Sequence, residues 1–151
     1  MSHSLCRIWL HCIFGTKFRK PFINKQIEAL LYAHISKKCM EMDCLLHAIN
    51  GTEDHVHMLI QLDPKVPVAE FFKSIKGSSS HYLNKQAVCS EKFMWSTGYA
   101  AFSVSRSVVP RVHKYIRRQK EHHAHKTYKQ ELVELELAAT LTKSEKEDNT
   151  Q

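Results

Sequence analysis

No apolar run in this chain approaches the roughly 18 residues that a membrane-spanning helix needs, so no membrane segment is expected. The start, Met1-Ser2-His3-Ser4, carries neither a basic segment nor a small-residue cleavage site. Secretion is therefore not expected, and a cytoplasmic location is. Paired cysteines are missing too. Cys6, Cys12, Cys39, Cys44 and Cys89 make an odd five with no C-x-x-C among them, which suits free thiols better than a disulfide framework or a zinc knuckle. Acidic residues are in deficit, 15 against 22 Lys and Arg, for a net charge of +7 and a pI near 9.2. That surplus favours a polyanionic partner, nucleic acid first. Internal repeats and dividing linkers are absent. The 151 residues are enough for one domain with a proper core, expected over 1–142, with a polar tail over 143–151 expected to be disordered.

What is there reads as alternating strands and helices. Residues 5–14 set Cys6, Ile8, Leu10, Cys12 and Phe14 on one face and Arg7, Trp9, His11 and Ile13 on the other, a strand whose second face is partly covered. A basic loop, Gly15 to Pro21, leads to a helix that Asn24 can cap and that runs to about Met42. A strand over 44–49 meets the turn signal Asn50-Gly51, and another follows over 53–62. Pro67 opens a second helix reaching about Lys85, weakened by Gly77-Ser78-Ser79-Ser80. Residues 92–104 read as a fourth strand interrupted near Gly98. A third helix starts at Ser107, with Pro110 in its first turn, and runs to about His123; a short amphipathic helix spans 128–140. The order β-α-β-β-α-β-α gives an α+β, ferredoxin-like (RRM-like) antiparallel sheet with helices on one face, plus a C-terminal helix that carries Tyr115 and Gln119. The second face is expected to be open.

The stretch Asp54-His55-Val56-His57-Met58-Leu59-Ile60 points His55 and His57 to that second face, while Val56, Met58, Ile60 and Leu62 face the core. Two imidazoles side by side are a bidentate metal site that needs further ligands from elsewhere. The pattern alone does not separate ligands from two surface histidines: with 11 His in the chain a chance triplet is unsurprising, and His123-Ala124-His125 is a second one. Asp54 could orient a histidine ligand, but alternation puts it on the far face unless the strand starts later. On the third helix Tyr115 and Gln119 are four apart and share a face, either a nucleophile beside an amide ligand or a half-buried Tyr with a surface Gln. Arg111, Lys114, Arg117, Arg118 and Lys120 make that helix strongly basic, a solvated face or a phosphate track.

These pieces together resemble the single-tyrosine transposases of the HUH group, encoded by the smallest bacterial insertion sequences, and their domesticated repeat-associated relatives. The resemblance runs from about residue 5 to 140. It rests on Gly15-Thr16-Lys17-Phe18-Arg19, the His55-Val56-His57 strand, Phe72-Lys73-Ser74-Ile75-Lys76-Gly77, Trp95-Ser96-Thr97-Gly98-Tyr99 and Tyr115-Ile116-Arg117-Arg118-Gln119. The chain departs from the pattern at Asn50 to Glu53, where many relatives place a proline before the Asp, and at Ala100-Ala101, where a further aromatic is common.

The resemblance implies metal-assisted cleavage and rejoining of single-stranded DNA at element ends. Tyr115 would be the nucleophile, joined to the 5′ phosphate, and His55, His57 and Gln119 the ligands of Mg²⁺ or Mn²⁺; residue types alone equally admit Zn²⁺ or Ni²⁺. DNA hairpins are the implied partner, with a homodimer whose active sites are shared between subunits. Lys17, Arg19, Lys73, Lys76 and Arg118 are candidate DNA contacts. The competing reading is a domesticated or inactive relative acting as a hairpin-DNA-binding module. A relaxase or replication initiator fits less well with a short chain and one such tyrosine, and a regulatory ferredoxin-like protein less well with the basic helix.

Overall fold

The computed structural model describes residues 4–122 and 126–148. By their contacts they form two compact units, Met1–Lys120 and Glu121–Gln151.

The first unit is built on four strands, β1 (Ile8–Gly15), β2 (Leu45–Gly51), β3 (His55–Leu62) and β4 (Ala100–Ser103). They lie in the order β2-β3-β1-β4, and every neighbouring pair is antiparallel. This is the expected ferredoxin-like sheet. Alternation sorts its side chains as the sequence implied. Leu10, Cys12 and Phe14 of β1 join Val56, Met58, Ile60 and Leu62 of β3 in the main core.

Two helices close that core. α1 (Lys25–Glu41) starts where the Asn24 side chain accepts a hydrogen bond from the Ile27 amide, and its stripe Ile27, Leu31, Ile35 and Cys39 is buried. A four-residue spacing keeps such a stripe on one face. α2 (Val68–Gln86) buries Phe71, Phe72, Ile75, Ser79 and Leu83. It runs unbroken through Gly77–Ser80. The Ser79 and Ser80 hydroxyls donate back to the Lys76 and Gly77 carbonyls at 3.2 and 3.1 Å, which satisfies them inside the helix instead of against it.

The second sheet face is not open, and the expectation that it would be is corrected here. α3 (Val109–Arg117) lies across it. Ile116 is buried with Trp9 and Leu59, and Val104, Val109, Val112 and Tyr115 pack around them. The apolar Trp9 and Leu59 could not face water at no cost, and the Val109, Val112, Ile116 stripe supplies their cover.

Three further boundaries differ. The turn between β2 and β3 is Thr52–Asp54, because Gly51 still pairs with Val56. Residues 92–99 are not strand. Phe93 and Trp95 plug into the core, Trp95 edge-on to Phe14 at 4.7 Å. The Asn84 carboxamide brackets Phe93 N–H and C=O at 2.7 and 3.0 Å, and Trp95 keeps a single bridge to Thr16 at the end of β1, so aromatic content imitated a full strand. The third helix breaks at Arg118 (φ −98°, ψ 17°) and resumes as the short α4 (Gln119–His122).

In the second unit, Thr127 and Gln130 exchange side-chain-to-backbone hydrogen bonds at 2.9 and 3.3 Å. This reciprocal box opens α5, Tyr128–Asp148. The helix extends past the expected end at Thr140, so 143–148 of the expected tail are helical, while 149–151 lie outside the described residues. His123-Ala124-His125 lies outside them as well.

Candidate active site

β3 delivers His55 and His57 to the α3 side, and both are fully buried, at 0 % exposure. Their rings stand 5.2 Å apart, nearly perpendicular. The exposed pair expected from the sequence is thus an enclosed one. Truncating either to Ala would open a void and strand its hydrogen-bond partners, so Gln is the better probe of its chemistry.

The Nδ1 of each ring is engaged. His55 Nδ1 donates to Asp54 Oδ1 at 2.6 Å, with Thr52 Oγ1 at 3.0 Å from the same nitrogen. Thr52 also donates to Asp54 Oδ1 at 3.0 Å. Asp54 is therefore not remote, as alternation suggested. It sits in the turn before β3, where the period of two does not apply, and it curls back onto its neighbour. Burial alone would raise the Asp54 carboxyl, but the hydrogen bonds from His55 and Thr52 and the charges of His55 and Arg19 outweigh it, and the group lies below its ordinary value of 3.8. The turn is fixed to the end of β1: Thr16 donates to the Asp54 carbonyl through N–H at 2.8 Å and through its hydroxyl at 3.2 Å. Gly51 serves the same corner, since a Cβ there would run into the His55 carbonyl.

His57 Nδ1 lies 2.8 Å from His11 Nε2. The Tyr115 ring packs edge-on against both rings, 5.9 Å from His57 and 5.9 Å from His11. Tyr115 is held there because α3 is tied down at its end. Asn50 Nδ2 donates to the Arg117 carbonyl at 3.0 Å, and Lys120 Nζ bridges Asn50 Oδ1 and Glu28 Oε1 at 2.6 and 2.9 Å. Gln119, just past the break, is fully buried, and among the described residues neither its Oε1 nor its Nε2 has a hydrogen-bond partner.

The sequence pattern of the family described as "Transposase IS200 like" matches residues 4–119. The chain belongs to the IS200-like transposase family. The transposases of insertion sequence element IS200 from Salmonella typhimurium (strain LT2) and Salmonella typhi are each 24% identical to it over 126 residues, covering 80% of this chain and 82% of theirs. Among solved structures, a putative transposase from Deinococcus radiodurans R1 superposes with a TM-score of 0.64 at 20% identity, covering 79% of this chain and 95% of that one. A REP-associated tyrosine transposase bound to a REP hairpin gives 0.62 at 13% identity, covering 82% and 74%. These structural likenesses bear on the fold, and the family match makes the chain a transposase.

The candidate DNA-contact residues of this transposase are not gathered in one place. Lys17 lies over the Phe18 ring at 5.4 Å, in the turn after β1, and Phe18 itself is 80 % exposed. Arg19 is in the same turn, near enough to Asp54 to act on its charge. Lys73 is exposed on α2, and Arg118 is exposed at the α3 break. Lys76 is committed internally, its Nζ donating to the Ser96 and Gly98 carbonyls at 2.7 and 2.6 Å, and burial lowers its pKa. Sequence reasoning passed over Thr52 and His11, and it ranked Asp54 low, although β3 does start after it, at His55. His11 carried a signal, being on the same β1 face as Trp9, but only the β1–β3 register shows that it meets His57.

The cysteines are free, and Cys12, Cys39 and Cys44 are buried. Burial pushes the Cys39 thiol up to about 12, which keeps it unreactive. No helix among the described residues is long and apolar enough to cross a membrane.

Proposed function

We propose that this transposase cleaves and rejoins single-stranded DNA through a covalent 5′-phosphotyrosine on Tyr115, with a divalent ion, Mg²⁺ or Mn²⁺, held by His55, His57 and Gln119. The observation that carries the reading is Tyr115 packed within one chain against His57, a phenol beside a buried imidazole pair. The donor set fits an ion. Each imidazole has its Nδ1 engaged, His57 by His11 and His55 by Asp54, so ligation would be through Nε2. The Gln119 carboxamide is buried without a partner, an arrangement that costs roughly 1–3 kcal/mol unless something completes it. When bound, the ion neutralises charge on the scissile phosphate.

The Tyr115 oxygen attacks phosphorus and loses its proton, the bond to the 3′ oxygen breaks, and that oxygen leaves as a 3′ hydroxyl after taking up a proton. Attack by a 3′ hydroxyl on the phosphotyrosine reverses the sequence and rejoins DNA. An ordinary phenol, with a pKa of about 10, is little ionised at neutral pH.

The relative solved with a REP hairpin supports hairpin single-stranded DNA as the partner here, met in the cytoplasm where the chromosome lies. We also propose a homodimer. The competing reading, a hairpin-binding module without chemistry, leaves the buried His57 and Gln119 and the half-buried Tyr115 beside His57 unexplained.

Tyr115→Phe tests the reading. It removes one oxygen from a half-buried ring, so folding should change by at most about 1 kcal/mol, while cleavage of a hairpin oligonucleotide with Mn²⁺ should vanish. Mass spectrometry of the digested wild-type adduct should place the 5′-phosphorylated oligonucleotide on the Tyr115 peptide. An adduct on Tyr32, Tyr82, Tyr99 or Tyr128 would overturn the assignment.

A further inference from the structure

We infer that His11 is a positioning residue that fixes the tautomer of His57, and so decides which of its nitrogens faces the metal; the inference rests on the metal reading above. His11 is on β1 directly opposite Leu59, two pairs along from the Ile13–His57 pair, so the two histidines are diagonal neighbours on one sheet face. His11 is 4 % exposed, and its Nε2 is 2.8 Å from His57 Nδ1.

Between two neutral imidazoles at that distance one nitrogen carries the proton and the other accepts it. A His57 that ligates through Nε2 must keep a lone pair there, so its proton sits on Nδ1 and is donated to His11 Nε2. His11 must then hold its own proton on Nδ1. The opposite arrangement, with His11 donating, would put the His57 proton on Nε2 and block that atom.

The companion ligand is handled differently. His55 Nδ1 is held by a carboxylate, Asp54, which adds negative charge, whereas His57 is held by a neutral ring. The neutral holder is the one beside the nucleophile: His11 and His57 both pack against Tyr115. A second carboxylate at this place would oppose both the phenolate and the incoming phosphate. An imidazole orients the ligand without that penalty, and its ring edge also shapes the Tyr115 seat.

The test uses the full chain with selectively ¹⁵N-labelled histidine and with Mn²⁺ as the probe. In the metal-free wild type, long-range ¹H–¹⁵N spectra should show His57 protonated on Nδ1. His11→Leu removes the acceptor and should bind Mn²⁺ about 10–100-fold more weakly, read from the free-Mn²⁺ electron paramagnetic resonance signal, with His57 shifting toward the Nε2-protonated form. His11→Gln can present Oε1 where Nε2 was, and should restore both readouts most of the way. A residue that merely fills space would be served as well by Leu as by Gln. Wild-type His57 protonated on Nε2 would overturn the inference, and so would undiminished Mn²⁺ binding by a folded His11→Leu. If His11→Leu does not fold, the wild-type tautomer and the Gln variant decide between them. A wild type that binds no Mn²⁺ would instead overturn the metal reading, and the tautomer would still stand or fall by the spectrum.

Discussion

Asp54 grips His55 by Nδ1 from a turn one residue away in sequence, and that proximity makes it the simpler of the two holders to probe. Asp54→Asn keeps the size of the side chain and the acceptor oxygen but removes the charge. Asp54→Ala removes the bond altogether and keeps Thr52 at 3.0 Å from the ring nitrogen. Mn²⁺ affinity should fall modestly for Asn and by about 10–100-fold for Ala, as measured by titration calorimetry. Equal affinity in all three proteins would show that the carboxylate orients nothing. The depressed Asp54 carboxyl means that the charge is already in place at neutral pH, so the comparison is made on an ionised side chain.

Among the elements, α3 carries the site's weakest joint. It is one helix of nine residues laid on a small apolar patch, with Ile116 the fully buried anchor and the Asn50 and Lys120 contacts at its end. Lys120 is more than half exposed, so its ion pair with Glu28 adds little, and docking rests on burial. Ile116→Ala should cost about 2–5 kcal/mol in urea unfolding followed by far-UV circular dichroism. It should also loosen Tyr115, whose seat lies one residue away. A loss below about 1 kcal/mol would mean that α3 is not docked on the sheet in solution.

For the whole molecule, the question is whose histidines a tyrosine serves. The resemblance implied a site shared between subunits, with Tyr115 acting on the partner. The single chain instead sets Tyr115 against its own His57 at 5.9 Å, with Asn50 tying the end of the same helix to the same sheet. Mixing His57→Gln protein with Tyr115→Phe protein separates the two arrangements. With the arrangement seen in one chain, verified mixed dimers should show no recovery of hairpin cleavage, because each subunit lacks one half of its own site. Recovery would mean that α3 undocks and crosses to the partner.

Much of this was legible in the sequence because it rests on local periodicity. A period of two along 55–62 assigned which residues face the core and which carry the imidazoles, and the apolar stripes with Asn24 and Pro67 located α1 and α2. The segment 115–119 announced a tyrosine and an amide. Tertiary structure decided the rest. Whether the histidine face was open depended on α3 finding Trp9 and Leu59, a contact about 50 to 100 residues away in sequence that periodicity cannot report. The strand-like aromatics of 92–99 keep only the bridge of Trp95 to Thr16, because Asn84 takes up the Phe93 backbone and the core takes the rings. Asp54 was misplaced because alternation ends where a turn begins. His11 became part of the site only through the register of β1 on β3: one residue of slip would have turned it to the other face, away from His57.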